Sequence, residues 1–151
     1  MIMNKIITLL TFSLLIFVSS GCDDETVDIS VLPEATTIGK NTFGFVLNNW
    51  VYVGGRYRGT QFLNFTYFTD SAKIKVRSVL GTGNNEISFD INNPAEGSEC
   101  TLTNVYFNDT KIPDGTVKIS KFDTLLCIVS GTFNCGDRIK HGRFDVKFSQ
   151  K

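Results

Sequence analysis

From Gly39 to the C-terminus, apolar side chains recur at nearly every second position. A β-strand satisfies that period and an α-helix does not. The clearest case closes the chain. Leu125 to Cys135 and Ile139 to Phe148 flank Gly136-Asp137, a hairpin signal. In the second of these runs Phe144, Val146 and Phe148 face one way, while Arg143, Asp145 and Lys147 face solvent. No stretch shows the i, i+3, i+4 spacing of an amphipathic helix.

The domain opens with a similar unit. Phe43, Phe45 and Leu47 lead to Asn48-Asn49, then to Trp50, Val51, Tyr52 and Val53. Asn tolerates positive φ better than most residues, so a two-residue Asn-Asn loop predicts a type I′ turn. That register sets Leu47 opposite Trp50 and Phe45 opposite Tyr52 on a buried face, with Val46 opposite Val51 on the other. Phe62–Phe68 is apolar on both sides and reads as a central strand. Lys73–Val79 alternates Ile74 and Val76 with Lys73, Lys75 and Arg77. After a turn at Gly81–Asn85, Ile87, Phe89 and Ile91 alternate with Ser88 and Asp90. Asn92–Ser98 reads as a loop. Thr101–Phe107 and Thr116–Phe122 are further strands, joined by a polar loop with Asp109, Pro113, Asp114 and Gly115.

About eight or nine short strands separated by turns predict an all-β chain, an antiparallel β-sandwich. A small closed calycin-like β-barrel is the alternative. The expected core holds Phe45, Leu47, Trp50, Tyr52, Phe65, Phe89, Phe133, Phe144 and Val146.

The N-terminus has a different logic. Lys5 precedes a thirteen-residue apolar run, Ile6 to Val18, and small residues then lead to Gly21-Cys22. A bilayer span needs about 20 apolar residues, so this run is too short to stay as one. Charge, apolar run and small residues in that order describe a signal peptide over residues 1–21. Gly21 before Cys22 resembles a bacterial lipobox, which implies diacylation of the Cys22 thiol. Residues 22–38 carry Asp23, Asp24, Glu25 and Asp28 and read as a solvated acidic tether, since like charges repel and extend a linker. Residues 39–151 form the single domain.

Charge excludes one class of partner. Without Lys5 the chain keeps 14 of its 15 Lys and Arg residues against 15 Asp and Glu, a net charge of −1. Nucleic-acid binding requires a basic stripe to neutralise phosphates, and none is present. Chemistry is equally sparse. His141 is the sole histidine. Asp123 and Asp145 are the candidate carboxylate pair for a small hydrolase, but a hairpin turn and a solvated strand face are their expected surroundings. No catalytic residue, cofactor or metal is assigned, because Cys100, Cys127, Cys135 and His141 lack the close cysteine spacing of structural zinc sites. With Cys22 acylated, three thiols remain. Cys127 and Cys135 on one strand lie roughly 26 Å apart, far beyond disulfide reach, so any bridge joins Cys100 to Cys127 or to Cys135. Tyr57, Tyr67 and Tyr106 are candidate contact residues of a module that binds a glycan or an envelope protein.

The lipobox, Asn41 to Gly44 (Asn-Thr-Phe-Gly), Lys118 to Asp123, Ser130 to Phe133 (Ser-Gly-Thr-Phe) and Gly142 to Asp145 (Gly-Arg-Phe-Asp) together resemble a large family of Bacteroidetes lipoproteins of unknown function. The resemblance spans most of residues 33–148. It implies an outer-membrane address through the acyl chains, with surface display signalled by Asp23-Asp24-Glu25, and supplies no catalytic residue. It also implies that Asp70-Ser71-Ala72 and Asp123-Thr124-Leu125 match that group's periplasmic O-glycosylation motif, making Ser71 and Thr124 candidate acceptors.

Overall fold

A computed structural model describes residues 27–55, 62–81 and 85–151. The expected signal peptide (residues 1–21), Cys22 and Tyr57 lie outside the described residues. Among the described residues period-two alternation is realised as eleven strands: β1 Thr42–Leu47, β2 Trp50–Gly55, β3 Phe62–Phe68, β4 Lys73–Leu80, β5 Asn85–Asn92, β6 Glu99–Phe107, β7 Thr110–Lys111, β8 Gly115–Asp123, β9 Ile128–Cys135, β10 Ile139–Lys147 and β11 Ser149–Gln150. The only helical turn among the described residues is a 3₁₀ turn at Ile29–Val31, capped where Asp28 accepts the Ser30 N–H at 3.0 Å.

The chain is all-β. Its strands form one hydrogen-bonded sheet in the order β11-β3-β4-β5-β6-β8-β9-β10-β1-β2, with β7 added beside β6. The sheet curls into a half-barrel, so the two packed faces of the expected sandwich are opposite halves of one sheet. Every pairing is antiparallel except β11 with β3. Only Phe148 separates β10 from β11, and its N–H donates to the Cys127 carbonyl at 2.8 Å. One run of chain therefore leaves β9 and joins β3, tying the β3 end of the sheet to its other half at one rim.

The first hairpin has the expected register, with Leu47 opposite Trp50, Phe45 opposite Tyr52 and Val46 opposite Val51. Asn48 and Asn49 have φ of 48° and 65°, as a type I′ turn demands. The same device recurs, unforeseen, at Asn108-Asp109, with φ of 47° and 64°, where it folds β7 back onto β6.

Phe43, on β1, occupies the centre of the core. Its ring meets those of Phe45, Phe65, Phe89 and Phe133 at centroid distances of 5.7, 6.1, 6.4 and 5.8 Å. Such offset and edge-on pairs are favoured by the ring quadrupoles. Phe45, Leu47, Phe65, Phe89, Phe133, Phe144 and Val146 are buried as expected, and Tyr52 is half-buried against Phe45 and Phe107.

Four expectations are corrected. Trp50 is 73% exposed, because it begins β2 at the end of the sheet while its partner Leu47 is flanked on both sides. β3 is not central: beyond β4 it has only β11, which covers Thr66 and Tyr67. Leu125–Cys127 does not extend β9; it belongs to a turn in which Asp123 accepts the Leu125 and Leu126 N–H groups at 3.0 and 2.9 Å. The tether expected over residues 22–38 is, in its part from Leu32 onward, held against the domain. Leu32 and Pro33 are buried against β1, and the segment lies as a strap across β10.

Candidate functional site

The strap is held by one carboxylate. Asp145 is fully buried and accepts from Thr36 Oγ1, Ser130 Oγ and the successive N–H groups of Ile38, Gly39 and Lys40, the last four at 2.7, 3.2, 2.7 and 3.1 Å. Three adjacent amides around Gly39, whose φ is +73°, make an anion-binding nest. Arg143 secures the strap further by donating to the Pro33 carbonyl at 3.1 Å. Burial alone would raise the Asp145 pKa, but the bonds from Thr36, Ser130, Gly39 and Lys40 outweigh it and hold it below the usual carboxylate value. The solvated carboxylate expected at Asp145 is thus corrected: its side chain does leave the sheet on the outer face, but the strap covers it.

This latch also explains the motifs. Ser130 and Asp145 are directly paired across β9 and β10, and Asp145 is paired with Thr42 across β10 and β1. A Cβ on Gly131 would meet the Lys118 carbonyl at 2.5 Å, and one on Gly142 the Phe133 ring at 2.6 Å. The Asn-Thr-Phe-Gly, Ser-Gly-Thr-Phe and Gly-Arg-Phe-Asp segments converge on one structural knot.

Asp123 and Asp145 are not a catalytic pair. Each is turned to its own backbone donors, and the register sets them two strands and two residues apart, roughly 12 Å between Cα atoms. The Leu126 N–H, with help from Leu125 and Lys121, holds Asp123 below the usual carboxylate range despite some burial. His141 sits exposed at a bulge in β10 with φ of 53°, its N–H donating to Asn134 Oδ1. Among the described residues no three His, Cys, Asp or Glu side chains come together in a way that could hold a metal ion.

The candidate disulfides are corrected as well: Cys100, Cys127 and Cys135 are free thiols. Cys100 is opposite Val117, and Val117 opposite Phe133, two residues before Cys135. Two strand spacings and two residues come to roughly 12 Å, against the ~7 Å limit for a disulfide. Cys127 lies farther still. Burial, with the Asp114 charge adding to it, pushes the Cys135 thiol up to about 12. Ser71 and Thr124 are exposed, each in a hairpin turn.

The concave site is elsewhere. A depression of about 460 Å³ opens on the outer face of β3 to β6. Cross-strand register builds its floor in two rows: Asn64, Arg77, Ser88 and Tyr106 in one, and Thr66, Lys75 and Asp90 in the next. Between Ser88 and Asp90 the β5–β6 ladder slips by one residue, and Asn104 takes φ of 55°. Bulges of this kind re-aim a side chain. Here Asn104 Nδ2 donates to Asp90 Oδ2 at 3.0 Å, and Lys73 Nζ reaches the same oxygen at 3.3 Å. Arg77 is held by Glu86 through Nε and Nη2, at 2.8 and 2.9 Å. Tyr106 stands 39% exposed beside the depression, with the Lys111 ammonium 5.1 Å from its ring centroid. Tyr67, by contrast, packs edge-on against Phe122 and Phe148 in the core. A second depression, where β6 diverges from β8, offers Thr101, Thr103, Thr116 and Asn134 without a cation or an aromatic ring.

Of these residues only Tyr106 was singled out as a contact from sequence. Asn64, Lys75, Arg77 and Ser88 come from three strands, and only the register unites them. Comparisons with known protein families, with curated proteins and with solved structures returned no match.

Proposed function

We propose that this chain is a membrane-anchored envelope lipoprotein whose domain is a non-catalytic module for binding a glycan. The observation that carries the reading is the depression on β3 to β6. It combines one half-exposed aromatic ring with amides and a hydroxyl that both donate and accept. Ligand sites of a few hundred Å³ with a few convergent polar groups are the ordinary form of small-ligand pockets. A Tyr ring covers the C–H face of a sugar, and Asn64, Ser88 and Asn104 suit its hydroxyls. Asp123, Asp145 and His141 serve turn, strap and bulge, so no observation favours a hydrolase.

Replacing Tyr106 by alanine is expected to weaken glycan binding about tenfold or more, as for other aromatic anchors, while leaving thermal stability nearly unchanged. Titration calorimetry with a glycan selected on an array checks it. If no glycan is retained and a specific envelope protein co-purifies instead, the module is a protein binder.

The anchor completes the proposal. Acyl chains contribute about 0.8 kcal/mol per buried CH₂, and more than one chain makes anchoring stable. Lipidation at Cys22 would place the domain at the outer membrane, displayed on the cell surface as the family resemblance implies. Cys22→Ser is expected to release the protein into the soluble fraction. Proteinase digestion of intact cells reads the orientation, and a domain protected until lysis would be periplasmic.

A further inference from the structure

We infer that the depression on β3 to β6 is selective for an anionic sugar, one whose ring carries a carboxylate or a sulfate; this rests on the glycan reading above and deepens it. Alternation along β4 puts three cations, Lys73, Lys75 and Arg77, on the outer face. The two flanking ones are matched: Lys73 pairs with Asp90 at 3.3 Å and Arg77 with Glu86 at 2.8 Å. Lys75, between them, has no carboxylate within ion-pair distance among the described residues. Its ammonium is 5.7 Å from the centroid of the Phe68 ring at the border of the depression. Those five charges therefore leave one positive charge, in the middle of the floor, and Lys151 lines the same depression, adding to its basic character.

Donors surround that charge. Glu86 takes Nε and Nη2 of Arg77, which leaves Nη1 without an acceptor among the described residues. The Glu86 pairing also fixes the guanidinium plane, so Nη1 is oriented in advance for a ligand. Asn64 Oδ1 is occupied by Thr66 Oγ1 at 3.1 Å, which orients the Asn64 amide and leaves its Nδ2 to donate. The Ser88 hydroxyl lies in the same row as Asn64 and Arg77. Lys75, Arg77 Nη1, Asn64 Nδ2 and Ser88 Oγ are donors, and donors gathered around an ammonium without a carboxylate partner suit an oxyanion. Asp90 does not oppose it, since Lys73 and Asn104 both donate to its Oδ2. Tyr106, at the end of that row, is placed to cover the sugar ring to which the anion is attached.

The test is a glycan array carrying neutral, carboxylated and sulfated oligosaccharides, read with the full mature chain and with Lys75→Gln, Lys75→Arg and Tyr106→Ala. The expected result is a preference of about tenfold for the acidic glycans over neutral ones of the same linkage, from one charge-assisted contact. That preference should weaken between about 0.05 M and 0.5 M salt. Lys75→Gln should abolish it, Lys75→Arg should restore it, and Tyr106→Ala should reduce binding to both classes. The carboxylated and sulfated arms tell the two sources of negative charge apart. Equal binding of neutral and acidic glycans, or an acidic preference that survives Lys75→Gln, overturns the inference while the binding-module reading stands. Binding to no glycan of any class overturns both.

Discussion

Asp145→Ala is expected to detach the strap and lower the unfolding free energy by about 3–5 kcal/mol, because it removes the charged acceptor shared by several buried hydrogen bonds. Five donors converge on this one carboxylate, two hydroxyls and three backbone N–H groups. Alanine leaves them without an acceptor, and each orphaned buried donor costs about 1–3 kcal/mol unless water reaches it. Asp145→Asn keeps the shape but turns an NH₂ toward N–H groups, so it should fail at the same contacts. The pH dependence has a definite sign. The carboxylate is held below its ordinary value, so its stabilisation is complete above about pH 3.9 and disappears as the pH falls through the lowered value. Asp145→Asn should lose that acid-sensitive component. Hydrogen exchange at the Ile38, Gly39 and Lys40 amides is the measurement. If those amides stay protected in Asp145→Ala, the carboxylate does not hold the strap.

Strand positions were legible in the sequence because period two is a local signal and turn residues punctuate it. Asn48-Asn49 carried turn type and register together, since two positive φ values admit few other residues. The failures came from topology. Trp50 and Leu47 are cross-strand partners with one pattern, yet one is exposed and the other buried. Nothing within β2 says that it ends the sheet. Phe62–Phe68 misled likewise, because apolarity on both faces did not bring a full-length strand to both edges: beyond β4 there is only the two-residue β11. At Leu125-Leu126 composition favoured a strand, but the Asp123 side chain competes for both N–H groups and turns the chain, leaving Leu125 93% exposed. Alternation set Asp145 on the outer face correctly. That a segment more than a hundred residues earlier in the chain covers it has no signal in the pattern. The depression was legible only at Tyr106, since a floor assembled from β3, β4, β5 and β6 has no linear motif.

Phe43→Ala is expected to cost about 3–5 kcal/mol, the range for removing a fully buried phenylalanine, which corresponds to a fall in Tm of roughly 10–25 °C. Position sets the size of the effect. Phe43 is fully buried on β1, near one end of the strand order, and its ring touches Phe65 on β3 and Phe89 on β5, near the other end. It also touches Phe133 on β9. A curled sheet keeps its shape only while the two halves fill the space between them, and this ring bridges that space. Truncation leaves a void that the hydrogen-bonded strands on either side cannot close without breaking register. Trp50→Ala is the matched control: a larger side chain is removed, but from a site 73% exposed, so the expected cost is about 1 kcal/mol or less. Thermal unfolding of the two variants side by side, followed by circular dichroism, decides the matter. Equal losses would mean that β1 does not pack across the half-barrel onto β3 and β5; a loss several times larger for Phe43→Ala places the stability of the fold in the contact between its two ends.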